Sequence, residues 1–251
     1  MPKRRRPYRR GYPVAMLIGL EEDHATSWQV FSNVVKPHST IRLEGRRKDE
    51  QALYNFHEAI INATRPILKE GTRSLIATTP MKTAYTAEFL THIRRHHPWL
   101  TQPGSPNAVA FGELVGPANN LHEVAELAKT KEFQRLVSET TSKEADHIVD
   151  TLEKRLNTIN DNAMVLFSLK EIEDLIYSQW KDKKVRPEYL MLTDKYLTEQ
   201  KDKNRIHRLL QIAKNKLVKT KIVNAETPAG KRLSQFGGLV CFTETRQTES
   251  S

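Results

Sequence analysis

The chain of 251 residues has one cysteine, few aromatic residues and no long hydrophobic run. The single cysteine, Cys241, excludes an intramolecular disulfide and any zinc site built from several cysteines. No apolar stretch approaches the roughly 20 residues that a membrane-spanning helix needs. The basic N-terminus is not followed by the apolar core of a secretory signal. These absences predict a soluble, cytoplasmic protein with no membrane partner.

Positive charge is what the chain has in excess, with a formal net charge of +10. Residues 1–12 contain six basic side chains and no acid, which leaves a net charge of +4 for the remainder. These six are Lys3, Arg4, Arg5, Arg6, Arg9 and Arg10. So dense a charge cannot be buried, and we predict a disordered tail that contacts nucleic acid through these side chains. A tail that only aids solubility is the alternative.

The first half of the chain alternates predicted strands and helices. Residues 13–20 form a nearly continuous apolar run, typical of a buried strand, and residues 26–35 predict a hairpin with it. After a third strand, apolar residues recur at helical spacing over residues 53–67, and Pro66 is predicted to end or kink this helix. A strand, a helix, a strand and further helices are predicted next, at residues 74–78, 85–99, 107–114 and 120–140.

A second unit is predicted to begin near Thr141. Residues 141–144 match the capping-box pattern that starts a helix, and residues 168–171 match it again. The remaining predicted strands and helix are short and alternate, at residues 189–193, 206–217, 221–223 and 239–242. This alternation predicts a compact α/β/α sandwich.

A basic loop, formed by Gly45, Arg46, Arg47 and Lys48, precedes the first long helix. Asp49 is a suitable N-cap for that helix, because its carboxylate can accept hydrogen bonds from the first-turn N–H groups. Three clustered cations repel one another unless they are solvated or meet phosphate, so we predict an exposed, mobile loop. Because helix N-termini favour anions, we also predict that these three cations contact phosphate. A solvated charged turn is the alternative.

The histidines and acids do not form a recognisable metal pattern in the sequence. His96 and His97 are neighbours, and adjacent side chains of a helix point in different directions. Cationic residues at a helix C-terminus are already accounted for by the helix dipole. We therefore predict no metal site and no cofactor.

Three segments of the second unit resemble the C-terminal domain of Pelota and of the class I release factors of archaea and eukaryotes. Residues 163–179 contain the Leu-Lys-Glu motif followed by an apolar helix, and residues 187–197 contain an apolar strand followed by Thr-Asp. Residues 230–243 contain Gly-Gly followed by the closing apolar strand. Residues 78–80, with the aromatic helix behind them, resemble the central domain of the same family.

The resemblance covers residues 13–244 and implies an α/β protein of two domains. Residues 13–140 would form an RNase H-like domain of the release-factor central type. Residues 141–245 would form the C-terminal-type domain, an α/β/α sandwich. The basic tail at residues 1–12 precedes these domains and a frayed tail at residues 246–251 follows them. The family also has an N-terminal domain, which reads the codon or the empty decoding site, and we expect no counterpart of it in this sequence.

The loop departs from the release factors, which carry Gly-Gly-Gln at the corresponding place. Here the position related to that motif contains Gly45 and Gln51 but no paired glycines. Paired glycines allow a backbone amide to approach the ester and hold a water there, and the bulky Arg47 and Lys48 do not. We therefore predict no catalytic residue and no enzyme. Pelota and the related hibernation factor Balon fit better.

The resulting hypothesis is a non-catalytic, ribosome-binding translation factor that acts in stalled-ribosome rescue or ribosome hibernation. Its basic tail and loop would contact rRNA, and also tRNA, and its second unit would contact a translational GTPase or a recycling ATPase. The alternatives are a peptidyl-tRNA hydrolase that uses Gln51 and a free protein that binds structured RNA. A nuclease is disfavoured because RNase H chemistry needs carboxylates that converge on two metals, and the first strand, residues 13–20, has none.

Overall fold

A computed structural model describes residues 11–32, 34–102, 108–157, 164–180 and 186–243. The chain divides into two compact units. Unit 1 comprises Met1–Leu68 and Thr72–Thr141, and unit 2 comprises Lys69–Gly71 and Ser142–Ser251. Residues 1–10 of the predicted basic tail, and the predicted frayed tail at residues 246–251, lie outside the described residues.

Unit 1 is built on one mixed sheet of five strands: β1 (Pro13–Leu20), β2 (His24–Phe31), β3 (Val35–Arg42), β4 (Ser74–Thr79) and β5 (Ala110–Val115). The strand order is β3-β2-β1-β4-β5. The first three strands form an antiparallel meander, and β4 and β5 continue the sheet parallel to β1. The predicted hairpin is present, and the fold has the predicted RNase H-like character.

Helices cover both faces of this sheet: α1 (Glu50–Lys69), α2 (Tyr85–His96), α3 (Leu121–Lys129) and the first part of α4 (Lys131–Asn157). A short 3-10 helix, Pro98–Leu100, follows α2. Successive side chains of a strand point to opposite faces, so β1 contributes to two cores. Met16 and Ile18 pack with α1 and α2, whereas Ala15 and Leu17 pack with α3 and α4. This two-sided burial explains why the sequence of β1 is apolar almost throughout.

The prediction that Pro66 ends or kinks α1 near residues 64–65 is wrong about the end, because the helix continues to Lys69. Proline removes one N–H donor from the helix, which is unfavourable in isolation. Ile67 and Leu68, just beyond it, are both buried in the core on this face of the sheet. Burial of these two side chains offsets the lost hydrogen bond, since packing contributes most of the stability of a helix in a protein.

Unit 2 is built on a four-stranded sheet: β6 (Val165–Leu166), β7 (Pro187–Thr193), β8 (Lys219–Val223) and β9 (Leu239–Thr243). The strand order is β6-β9-β7-β8, with β7 and β8 parallel and the other pairs antiparallel. Four helices accompany the sheet and the end of α4: α5 (Leu169–Tyr177), α6 (Asp194–Glu199), α7 (Lys203–Asn215) and α8 (Pro228–Gln235).

The sheet of unit 2 also has a core on each face. Met191 packs with side chains of α4 and α8, and its neighbour Leu190 packs with side chains of α5 and α7. The predicted α/β/α sandwich is therefore confirmed. The short strand β6 was not predicted.

The predicted capping box at residues 141–144 is wrong, because α4 is continuous through these residues. The hydroxyl of Thr141 donates to the carbonyl of Val137 at 2.7 Å, as a threonine within a helix commonly does, and does not cap a new helix. Ser168 does precede the helix that was predicted there, but its side chain makes no capping hydrogen bond.

Candidate nucleic-acid interface

The basic loop lies between β3 and α1 and is fixed at both ends. At its start, Leu43 donates its N–H to the carbonyl of Asp23 at 2.8 Å. At its end, the carboxylate of Asp49 accepts hydrogen bonds from the N–H groups of Gln51 and Ala52, at 3.0 and 3.3 Å. Asp49 therefore caps α1 as the sequence predicted. The turn between these anchors needs Gly45, whose φ is +118°, a conformation that residues with a Cβ rarely adopt.

Arg47, one of the three predicted exposed cations, is largely buried, with 13% of its side chain exposed. Its guanidinium lies 3.8 Å from the centre of the Tyr85 ring and forms an ion pair of 2.7 Å with Glu88. It also donates to the backbone carbonyls of Glu21 and Glu22, at 2.6 and 3.2 Å. The expectation that all three cations project from a mobile loop is thus wrong for Arg47, because aromatic, acidic and carbonyl groups from distant segments surround it.

Arg46 and Lys48, on either side of Arg47, are both exposed. Within the described part of the chain, neither side chain forms an ion pair or a hydrogen bond. Glu44 and Glu50 are also exposed nearby, so the positive charge belongs to two individual side chains and not to a broad basic surface. Two unpaired cations at the N-terminal end of a 20-residue helix suit a contact with individual phosphates.

Gln51 is exposed and lies in the first turn of α1. Its side-chain amide donates to the side-chain oxygen of Asn55, one turn further along, at 3.0 Å. Gly45 lies in the loop, on the other side of the Asp49 cap. The structure therefore puts the glutamine on a regular helix, whereas the glycine lies in the loop before that helix and packs closely against Ala52.

Sequence reasoning did not identify the residues that hold the loop in place. Tyr85 and Glu88 lie one turn apart on α2, and together they form the site that Arg47 occupies. An aromatic residue three positions before an acid is a common pattern, so only the packing of α2 against the loop gives these residues a role. The six basic residues predicted to bind nucleic acid in the tail, Lys3, Arg4, Arg5, Arg6, Arg9 and Arg10, lie outside the described residues.

Basic residues of unit 2 are arranged differently, because many of them are paired with acids. Arg205 forms a two-point hydrogen-bonded pair with Glu173, and Lys219 lies 3.1 Å from Glu188. Hydrogen bonds from Arg205 hold the pKa of Glu173 below its usual range, against the opposing effect of burial. Such pairs serve the fold and offer little free charge to a polyanion.

Among the described residues, no helix is both long and apolar enough to cross a membrane. No protein-family model and no curated protein matches this sequence.

The fold resembles solved structures of translation factors. A model of ribosome-bound archaeal Pelota and ABCE1 matches with a TM-score of 0.52 and 17% identity, over 92% of this chain and 61% of that one. Dom34 of S. cerevisiae, a translation termination-like factor involved in RNA quality control pathways and interacting with Hbs1, matches with a TM-score of 0.46 and 19% identity, over 94% of this chain and 64% of that one. The archaeal translation termination factor aRF1 matches with a TM-score of 0.32 and 15% identity, over 92% and 62%.

This chain spans less than two thirds of the length of each of these structures. It has a Pelota-like fold.

Proposed function

We propose that this protein is a non-catalytic, ribosome-binding translation factor that acts in stalled-ribosome rescue or ribosome hibernation in the cytoplasm. Unit 1 serves as the RNA-contacting central-type domain. Unit 2 serves as the C-terminal-type domain and contacts a translational GTPase or a recycling ATPase. The Pelota-like fold supports the class of protein, since the matched archaeal Pelota structure is ribosome-bound.

The observation that carries the proposal is the construction of the basic loop. Arg47 anchors the loop through Tyr85, Glu88 and two backbone carbonyls, and this anchor leaves Arg46 and Lys48 exposed at the N-terminal end of α1. Both cations are held close to the positive end of a helix dipole, where their mutual repulsion is relieved by an anion. Phosphates of rRNA or of a tRNA acceptor stem are anions of the right kind. The basic tail adds sequence-independent attraction.

The hydrolase alternative requires Gln51 to hold a water against the ester of peptidyl-tRNA. Its place on the first turn of α1, hydrogen-bonded to Asn55, argues against that role, as does the absence of paired glycines from the loop sequence. A nuclease would need several carboxylates at the centre of the sheet. The sequences of β1 and β4, the two central strands next to each other, contain no acidic residue.

Co-sedimentation tests the proposal directly. We expect the untagged 251-residue chain to pellet with purified ribosomal particles at low salt and to be released as the salt concentration rises, because phosphate contacts are screened. A structured RNA similar in length to the rRNA, added as a competitor, should displace the protein from the ribosomal particles poorly. Failure to pellet at any salt concentration would contradict the proposal, and equal displacement by free RNA would favour the free RNA-binding alternative.

Peptide release tests the hydrolase alternative in the same particles. Ribosomes loaded with peptidyl-tRNA should release no more peptide with the wild-type chain than without it, and Gln51→Ala should change nothing. Release that depends on Gln51 would move the protein into the hydrolase class.

A further inference from the structure

A cluster of one glutamate and two histidines lies where α1 faces the end of α2. Glu58 belongs to α1, His92 to the last turns of α2, and His97 directly follows α2. The Nε2 atoms of His92 and His97 lie 3.0 and 2.5 Å from the same carboxylate oxygen, Oε1 of Glu58. One ligand atom from each of the three residues lies within 4.8 Å of the other two.

The backbone at the end of α2 brings the two histidines together. The N–H of His97 still donates to the carbonyl of Ile93 at 2.8 Å, but its φ and ψ of −129° and 52° are no longer helical. This turn places the His97 ring 5.8 Å from the His92 ring, centre to centre, although five positions along a regular helix would separate them. The neighbouring His96 is exposed, so the sequence pair His96–His97 is not the relevant one.

Both histidine side chains are more than nine-tenths buried, and the Glu58 side chain is 24% exposed. Carboxylate oxygens and imidazole nitrogens are atoms that commonly ligate transition-metal ions.

A third imidazole lies beside the cluster. The ring of His57 is buried and its centre lies 5.0 Å from that of His92. The Nε2 atom of His57 has no hydrogen-bond partner within the described part of the chain. A buried imidazole nitrogen without a hydrogen-bond partner is unusual in a folded protein, but His57 is not among the three residues whose ligand atoms converge.

We infer that Glu58, His92 and His97 bind one divalent transition-metal ion, with Zn²⁺ the best match, and that this ion ties the end of α2 to α1. Two imidazole nitrogens and one carboxylate oxygen form a donor set that Zn²⁺ accepts at about 2.0–2.2 Å, and two nitrogen ligands disfavour Mg²⁺ and Ca²⁺. The exposed edge of Glu58 gives the ion a route from solvent. The site is separate from the proposed RNA contact and holds whether or not that contact exists.

Metal titration of the untagged 251-residue chain, after treatment with a chelator, tests the site. We expect calorimetry to show one Zn²⁺ bound per chain, and Co²⁺ to give the visible absorption of a four-coordinate site in which a water completes the three protein ligands. Glu58→Gln and His97→Asn should each weaken Zn²⁺ binding at least about 100-fold, since each removes a ligand. His122→Asn is the matched control, because His122 is an exposed histidine of α3 in the same unit; it should bind Zn²⁺ as the wild type does.

The wild-type titration decides the matter even if a variant fails to fold. Absence of a stoichiometric Zn²⁺ or Co²⁺ complex would overturn the inference. So would a complex whose affinity survives both Glu58→Gln and His97→Asn, or one that is lost in His122→Asn, because either result would show an adventitious site. NMR provides a second readout: Zn²⁺ should shift the imidazole resonances of His92 and His97 and leave that of His122 in place.

Discussion

Unit 1 presents Arg46 and Lys48 to solvent without an ion pair among the described residues, whereas unit 2 buries a lysine against an acid inside its fold. That acid, Glu144 of α4, has 1% of its side chain exposed, and its partner Lys221 of β8 has 7%. The same residue types thus serve opposite purposes. Where a cation meets an acid in a dry environment it specifies packing, and where it is held away from acids it remains available to a polyanion.

The rate at which a reagent labels the Cys241 thiol reports how readily unit 2 opens to solvent. This thiol lies on β9 and is fully buried, and burial raises its pKa to about 12 from an ordinary value of 9.0. At pH 8 the thiolate is the reactive form, so a thiol reagent should label the native protein at least about 1,000-fold more slowly than the protein in denaturant. Nearly equal labelling rates in the two conditions would show that unit 2 opens freely. That result would contradict the contrast between the exposed cations of unit 1 and the buried ion pair of unit 2.

The buried pair of unit 2 predicts the next largest effect. Glu144→Gln leaves the Lys221 ammonium buried beside a neutral group, which should cost about 3–5 kcal/mol of folding free energy. Native-state labelling of Cys241 should therefore accelerate by more than about 100-fold. The control is the double variant Glu144→Met with Lys221→Met, which removes both charges and should label at close to the wild-type rate. If Glu144→Gln labels Cys241 as slowly as the double variant does, then leaving the buried Lys221 ammonium unpaired does not destabilise the fold.

Arg47 belongs to unit 1 but resembles the paired basic residues of unit 2, because it is largely buried against an acid. Arg47→Ala removes the ion pair with Glu88, two hydrogen bonds to carbonyls and the stacking on Tyr85. We expect a loss of about 2 kcal/mol in the free energy of unfolding, measured by urea denaturation. Arg46→Ala, its matched control one position away, should change that free energy by less than about 0.5 kcal/mol. Equal effects of the two substitutions would mean that the anchor does not hold the loop.

Much of the fold could be predicted because its signals are local. The apolar run of β1 follows from burial on both faces of the sheet, and the N-cap at Asp49 follows from the chemistry of the first helical turn. The continuity of α4 could not be predicted, because the Thr-x-x-Glu pattern at residues 141–144 is the same in a cap and within a helix. Burial of Ala145 and Ile148 in the core of unit 2 favours the uninterrupted helix.

The candidate sites also have features that the sequence could predict and features that it could not. The position of the basic loop was predictable, but the three cations were equivalent in the sequence, and only Tyr85 and Glu88 distinguish Arg47 from its neighbours. Glu58 and His92 lie 34 positions apart and meet only because α1 and α2 pack on the same face of the sheet. A contact between residues that lie this far apart in the sequence cannot be recognised from the local pattern of a single sequence.

The central claim is that Arg46 and Lys48 contact phosphate on the ribosome, and the salt dependence of ribosome binding tests it most directly. The variant Arg46→Ala with Lys48→Ala is compared with Lys129→Ala with Arg135→Ala, which removes the same charge from exposed cations of unit 1 that lie next to acids.

We predict that the loop variant remains folded and that its slope of log binding constant against log salt concentration falls by roughly 1.5 to 2, the value for two phosphate contacts. The control variant should keep the wild-type slope. Identical slopes for the two variants would contradict the account, because they would show that the loop cations contribute only general positive charge.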